Sequence, residues 1–214
     1  LAAEIAAKKP DLIGLQEVAR WRTGDTPGAP HQSSVDPQSA FTATTDKYDF
    51  LQLLLDQLSA RGLAYKPAVV KEEFDFEAPT DYDDNPATGA LGGEIQGRLT
   101  MRDVILVNTK SKVKAKVSNP QSGTYSNLFT PTISGIEVPV TRGWTAGDVK
   151  VQKGKGKKKV TKKFRFVNTH FEAFDDETQH PSIRALQAGE LLAGPASSKR
   201  SIILGDFNSN NPPV

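Results

Sequence analysis

The chain has 214 residues, no cysteine and a formal net charge of +2. The lack of Cys excludes disulfides, thiolate nucleophiles and thiolate metal sites. With 37% hydrophobic and 24% charged residues the balance is that of a soluble globular domain, and no apolar run reaches the ~20 residues of a membrane-spanning helix.

Leu1 to Lys9 is Ala-rich with helical spacing and is closed by Pro10. It opens on Leu without a capping residue, so the chain reads as cut from a longer protein. Asp11 to Val18 is a short apolar strand suited to burial. Residues 22–45, rich in Gly, Pro, Ser, Thr and Asp, predict a long loop. Tyr48 to Arg61 places Phe50, Leu51, Leu54, Leu55 and Leu58 at helical spacing before Gly62. Ala64 to Val70 predicts a strand. Residues 72–97 are acidic and turn-rich and predict a loop, with Phe74, Phe76 and Tyr82 read as core contacts or loop anchors rather than a stacking platform. Asp103 to Asn108 predicts a strand, and residues 109–142 irregular chain with short strands. Gly143 to Val151 and Lys162 to Asn168 predict a hairpin around a Lys/Gly run. Ser182 to Leu192 predicts a helix and Arg200 to Gly205 the final strand. Alternating helices and strands with antiparallel hairpins predict one α/β (α+β) domain over residues 1–214.

Several of these apolar strands end in residues capable of chemistry: Gln16-Glu17, Asn168-Thr169-His170 and Gly205-Asp206-Phe207-Asn208, with Arg102-Asp103 at a strand start. In an extended strand Asp206 and Asn208 share a face. Alone, each has a plain alternative. Glu17 can be an exposed strand-end residue, His170 a hydrogen-bonded structural histidine, and Asp206 the start of an Asx-turn. Together, carboxylate, imidazole and amide at the ends of separate strands predict a site on one sheet edge. Such oxygen donors suit Mg²⁺ (or Mn²⁺), which keeps several waters. No His pair at metal spacing and no Cys is present, which argues against zinc.

Leu-Gln-Glu-Val, Val-Asn-Thr-His-Phe-Glu and Ile-Leu-Gly-Asp-Phe-Asn, in that order, resemble the signature segments of the endonuclease/exonuclease/phosphatase (DNase I-like) superfamily. The resemblance implies a four-layer α/β/β/α sandwich and metal-dependent hydrolysis of phosphate esters. It implies that Glu17 binds the metal, Asp206 orients or deprotonates water, Asn208 positions nucleophile and phosphate, and His170 stabilises the transition state as an imidazolium. Arg184 and Gln187, i and i+3 on one helix face, resemble residues supporting the core beneath the site. Arg102 and Asp103 are weaker matches for positions near it.

The family pattern also contains a first strand ending in Asn and a closing Asp-His motif, and neither matches this chain. His31 and His180 have no matching context, and His180, before Pro181, reads as surface. The expectation is a domain truncated at both ends, inactive or weakly active by itself. The basic run Lys150 to Lys163 reads as a solvated hairpin tip, or as a surface for nucleic-acid phosphates or an anionic membrane. A nuclease is therefore the leading expectation. A sphingomyelinase-like lipid phosphodiesterase or an inositol-phosphate phosphatase is the alternative, and a non-catalytic binding remnant is an alternative of another class. A monomer is expected, and likeness to secreted bacterial family members implies an exported parent.

Overall fold

A computed structural model describes residues 1–25, 31–32, 41–80, 95–133, 135–154, 158–174 and 181–209. Two packed β-sheets carry one helix on each outer face. The first sheet contains β1 (Leu12–Leu15), β2 (Arg20–Gly24), β3 (His31–Gln32), β4 (Thr45–Asp49), β5 (Tyr65–Thr80) and β6 (Ile95–Asn108). Its order is β3-β5-β6-β2-β4, and β1 also pairs with β6. The second sheet contains β7 (Lys116–Thr124), β10 (Gly143–Lys153), β11 (Val160–His170) and β12 (Ser201–Asp206), in the order β12-β11-β10-β7. Only β11 and β12 run parallel in that sheet. A two-stranded ribbon of β8 (Thr132–Ile133) and β9 (Ile136–Glu137) stands apart.

Period-two burial makes the layers. Val69 and Ile105 of the first sheet meet Val149 and Phe166 of the second, with Leu12, Val117, Phe164 and Leu204 around them. The helix α2 (Phe50–Ala60) lays Leu51, Leu54 and Leu55 on Val18, Val104 and Leu106, the outer face of the first sheet. The helix α3 (Ile183–Ala193) lays Ala188 and Leu191 on Ala146, Val167 and Ile203, the outer face of the second. This is the four-layer α/β/β/α sandwich expected. The short α1 (Ala2–Lys8) ends at Lys9 in a left-handed conformation, before Pro10. Asp49 caps α2 by accepting from the N–H groups of Leu51 (3.0 Å) and Gln52 (3.1 Å). No described helix is long and apolar enough to cross a membrane.

Two predicted loops contain strands. Within residues 22–45 the chain starts from β2, and it enters β4 at Thr45; residues 26–30 and 33–40 lie outside the described residues. The acidic stretch from residue 72 continues β5 to Thr80, and β6 begins at Ile95 rather than Asp103. Two of its acids, Asp75 and Glu77, are buried partners rather than solvated loop charges. Asp75 bonds Arg98 and Thr100, and Glu77 accepts from the N–H groups of Thr42 (3.0 Å) and Ala43 (2.9 Å). The alternation Phe74-Asp75-Phe76-Glu77-Ala78 carries the strand period that the acidity concealed. The irregular span 109–142 contains the nine-residue β7, largely exposed. The β10–β11 hairpin runs further than predicted, to Lys153 and from Val160.

The two sheets are tied where the site begins. Asn168 of β11 is fully buried. Its Nδ2 donates to the Leu15 carbonyl (3.1 Å) and to Thr145 Oγ1 (3.2 Å), and its Oδ1 accepts from Gln16 Nε2. Replacing Asn168 with Ala leaves the fully buried Thr145 hydroxyl and the half-buried Leu15 carbonyl and Gln16 amide without this partner. The expected loss is about 1–3 kcal/mol of stability. Urea unfolding should show it as a lower midpoint with an unchanged slope.

Candidate active site

Glu17 follows β1 by two residues and takes a left-handed conformation (φ 53°). That turn leaves its side chain 57% exposed above the buried His170, the last residue of β11. Glu17 Oε1 lies 4.0 Å from His170 Nε2. Beneath, Asp103 accepts the backbone N–H of Glu17.

Arg142 Nη1 lies 3.2 Å from His170 Nδ1. A guanidinium only donates, so Nδ1 is the acceptor and Nε2 carries the proton toward Glu17. Burial, reinforced by the charge of Arg142, lowers the His170 pKa to about 4. His170 is therefore a neutral imidazole at neutral pH, which corrects the imidazolium expected from sequence. The permanent positive charge beside it belongs to Arg142.

The third segment arrives by parallel pairing, which sets Asp206 opposite His170 and Gly205 opposite Thr169. A Cβ at residue 205 would strike the Thr169 carbonyl, and φ there is +154°, so glycine is required for β12 to seat. Asp206 Oδ1 accepts the Asn208 N–H at 2.9 Å, so the Asx-turn does form. Asn208 is left-handed (φ 46°) and lies beyond the strand, so the same-face strand geometry does not place it. Instead its Nδ2 donates to the Phe171 carbonyl (2.8 Å), and Arg184 Nη1 donates to its carbonyl. Gln187, fully buried, accepts the Glu172 N–H (2.9 Å) and donates to the Asn127 carbonyl (2.7 Å). Glu17, His170, Asp206 and Asn208 thus come together on one edge, with Arg184 and Gln187 behind it.

Arg102 does not join them. It faces the opposite side of β6 from Asp103, bonding Asp49 Oδ1 (2.6 Å) and the Val18 carbonyl (2.9 Å). Its role is to anchor the start of α2.

The structure surrounds Asp103, a candidate from the sequence, with further buried ionisable groups that the sequence did not single out. Glu73 sits at a bulge in β5, 3.2 Å from Lys71 Nζ, with both carboxylate oxygens otherwise without a hydrogen-bond partner. Burial raises its pKa to about 7 despite Lys71 and Arg142. Gly143 makes room for it, since a Cβ there would lie 2.7 Å from Glu73 Oε1. Burial and the nearby Glu73 raise Asp103 to about 8, and its Oδ2 has no partner. Glu172, fully buried, lies 3.9 Å from Arg142 Nε and accepts the N–H groups of Ala173 (2.9 Å) and Phe174 (3.1 Å). The sequence signal for Arg142 was a charged residue directly before an apolar strand and a Gly.

A separate groove lies further along β6. Asp103, Leu99 and Gly97 alternate onto one face of β6, and Leu99 is about 13 Å from Asp103 at ~3.3 Å per residue. Across the strands Leu99 aligns with Trp21 and Phe76, and Trp21 with Tyr48. The ring pairs Tyr48–Phe50 (6.2 Å) and Phe74–Phe76 (5.9 Å) are each stacked, lining a cavity of about 810 Å³ with Lys47 on its wall. Phe74 and Phe76 are thus wall residues of a groove, not core contacts; Tyr82 lies outside the described residues.

Among the described residues no three His, Asp or Glu side chains form a closed metal cage. A lone exposed carboxylate of hard oxygens, Glu17, fits Mg²⁺ held largely by water and does not fit a fully protein-ligated ion.

No protein-family model matches this chain, and no curated protein matches it in sequence. Among solved structures it is similar to the catalytic domain of human Nocturnin with a bound sulfate anion, at 18% identity and a TM-score of 0.43. The likeness covers 97% of this chain and 55% of that one, so this chain spans little more than half of that structure.

The raised Asp103 pKa has a signed consequence. Native Asp103 keeps a proton that the unfolded chain releases near pH 4, so its contribution to stability falls as pH rises from there to about 8. His170 acts in the other direction, but only between about 4 and 6.5. Glu73 adds a fall of the same sign up to about pH 7, so Asp103→Asn should flatten the stability profile between about pH 7 and 8.5, as read by urea unfolding at both ends.

Proposed function

We propose that this chain carries the catalytic edge of a metal-dependent phosphoester hydrolase of the endonuclease/exonuclease/phosphatase type. The observation that carries this reading is the convergence of three distant segments. Glu17 lies 4.0 Å from His170, Asp206 stands opposite His170 across the parallel pair, and Asn208 Nδ2 donates to the Phe171 carbonyl directly after His170.

Each residue has a defined task in this reading. Mg²⁺ or Mn²⁺ held by Glu17 would supply Lewis-acid neutralisation of phosphoryl charge. His170 offers a neutral Nε2–H as a donor to a phosphoryl oxygen. Arg142 fixes that tautomer and adds a positive charge behind it. Asp206, exposed at the strand end, accepts a proton from the attacking water. Asn208, held by one N–H to Phe171, keeps its second N–H and its Oδ1 for water and phosphate. Arg184 and Gln187 keep the β12 end and the segment after His170 in place.

Nucleic acid and phospholipid are both phosphodiesters that such an edge can hydrolyse. The aromatic groove, about 13 Å along β6 from Asp103, supports an ester whose apolar group is carried well away from the phosphate. An acyl-bearing phosphodiester is therefore the second reading beside a nuclease. A smaller inositol phosphate makes no use of the groove.

Two measurements test the proposal. Mg²⁺ or Mn²⁺ should raise the melting temperature of the chain, and Glu17→Gln should abolish that rise. The protein that carries this chain should hydrolyse duplex DNA or sphingomyelin in Mg²⁺ and lose activity in EDTA. Asp206→Ala should lower kcat by about 10²–10⁴, and His170→Ala by about 10²–10³. Hydrolysis that survives EDTA, or is untouched by Asp206→Ala, refutes the assignment.

A further inference from the structure

The second sheet carries a row of like charges that the fold does not neutralise. Lys150 of β10 lies directly opposite Lys116 of β7 and Lys163 of β11. Val149, one residue earlier, packs between the sheets with Val117 and Phe164, so the lysines take the outer face. Lys199 and Arg200, just before β12, line a cleft of about 650 Å³ with Lys150, Lys163 and Arg165. The acid in this cleft, Asp148, is already bonded to Arg165 (3.0 Å) and Asn119 (3.1 Å). Among the described residues Lys116, Lys150, Lys163, Lys199 and Arg200 have no acidic partner.

Like charges placed directly opposite across antiparallel strands oppose the pairing. Such a row brings no benefit to the folded chain, but it is suited to a polyanion. We propose that this outer face of the second sheet is a docking surface for the phosphate backbone of duplex nucleic acid. At ~4.8 Å between strands the row spans on the order of 10 Å from Lys116 to Lys163. A duplex presents one charge per ~1.7 Å of axis, so several phosphates face the row at once. The cleft is concave, and its one aromatic side chain, Phe164, packs toward the core. It therefore offers neither the exposed aromatic anchors of a membrane surface nor a platform for stacking bases. Binding through phosphates alone is independent of sequence and strongly dependent on salt.

The surface is remote from the catalytic edge. Lys163 precedes His170 by seven residues on β11, about 23 Å at ~3.3 Å per residue. It holds the polyanion rather than contacting a reacting phosphate, and it does not rest on the hydrolase reading.

The test is fluorescence anisotropy of a labelled duplex of about 30 base pairs without Mg²⁺, across a salt series. Binding should be independent of base sequence, with a slope of log K against log salt near −3 to −4, from ~0.9 per neutralised phosphate. Lys150→Glu sets a carboxylate between Lys116 and Lys163. It should weaken binding at least tenfold, reduce the slope by about one to two, and raise the melting temperature. Lys8→Glu, the same charge change on α1, should leave affinity within about twofold, since exposed charges beyond a Debye length are screened. If Lys150→Glu does not fold, Lys163→Gln combined with Lys199→Gln gives the same affinity reading. Unchanged affinity in these variants, equal weakening by Lys8→Glu, or tighter binding to phosphatidylserine vesicles than to the duplex would overturn the proposal.

Discussion

The candidate site depends on one buried amide. Asn168 sits between the sheets with no exposure, donating to the Leu15 carbonyl and to Thr145 and accepting from Gln16. These bonds stitch the end of β1 to the second sheet two residues before His170. A buried amide with unmet bonds costs more than the bonds return when made, so it enforces its geometry strongly. Glu17 can then stand 4.0 Å from His170 although 152 residues separate the Gln16–Asn168 pair. Neither sheet could place that pair alone.

Beneath this stitch lies an unusual electrostatic floor. Lys71, Glu73, Asp103, Arg142 and Glu172 are buried or nearly so, with few hydrogen bonds for their charges. Two carboxyls, Glu73 and Asp103, hold protons far above their ordinary range because burial disfavours the charged form. Arg142 links this floor to the site: burial, reinforced by its charge, holds His170 neutral, and its N–H keeps the proton on Nε2. Burial of ionisable groups of this kind is more often found at functional sites than in cores built only for stability. The aromatic groove lies further along the same face of β6, so charge and apolar surface share one strand.

Much of the architecture was legible. Helical spacing in α2 and α3 and the apolar runs of β1, β11 and β12 needed no tertiary information. Strand-end motifs pointed to Glu17, His170, Asp206 and Asn208. What failed were segments where charge hid a period-two pattern. Asp75 and Glu77 looked solvated because their partners, Arg98 and the backbone of Thr42 and Ala43, lie on other strands or beyond a turn. Arg102 looked like a neighbour of the site because its sequence neighbour Asp103 is one. Alternation along β6 sends the two to opposite faces.

Sequence by itself determined the helices α2 and α3, the apolar runs of β1, β11 and β12, and the residue types at three strand ends, because periodicity and turn chemistry are local. Only the tertiary structure decided which protonation state His170 adopts and that Arg142 stands behind it. It alone revealed that Asp103 accepts the Glu17 N–H with Glu73 nearby, and that Lys116, Lys150 and Lys163 form one row. Burial and cross-strand register are sums over distant segments, and no window along the chain contains them.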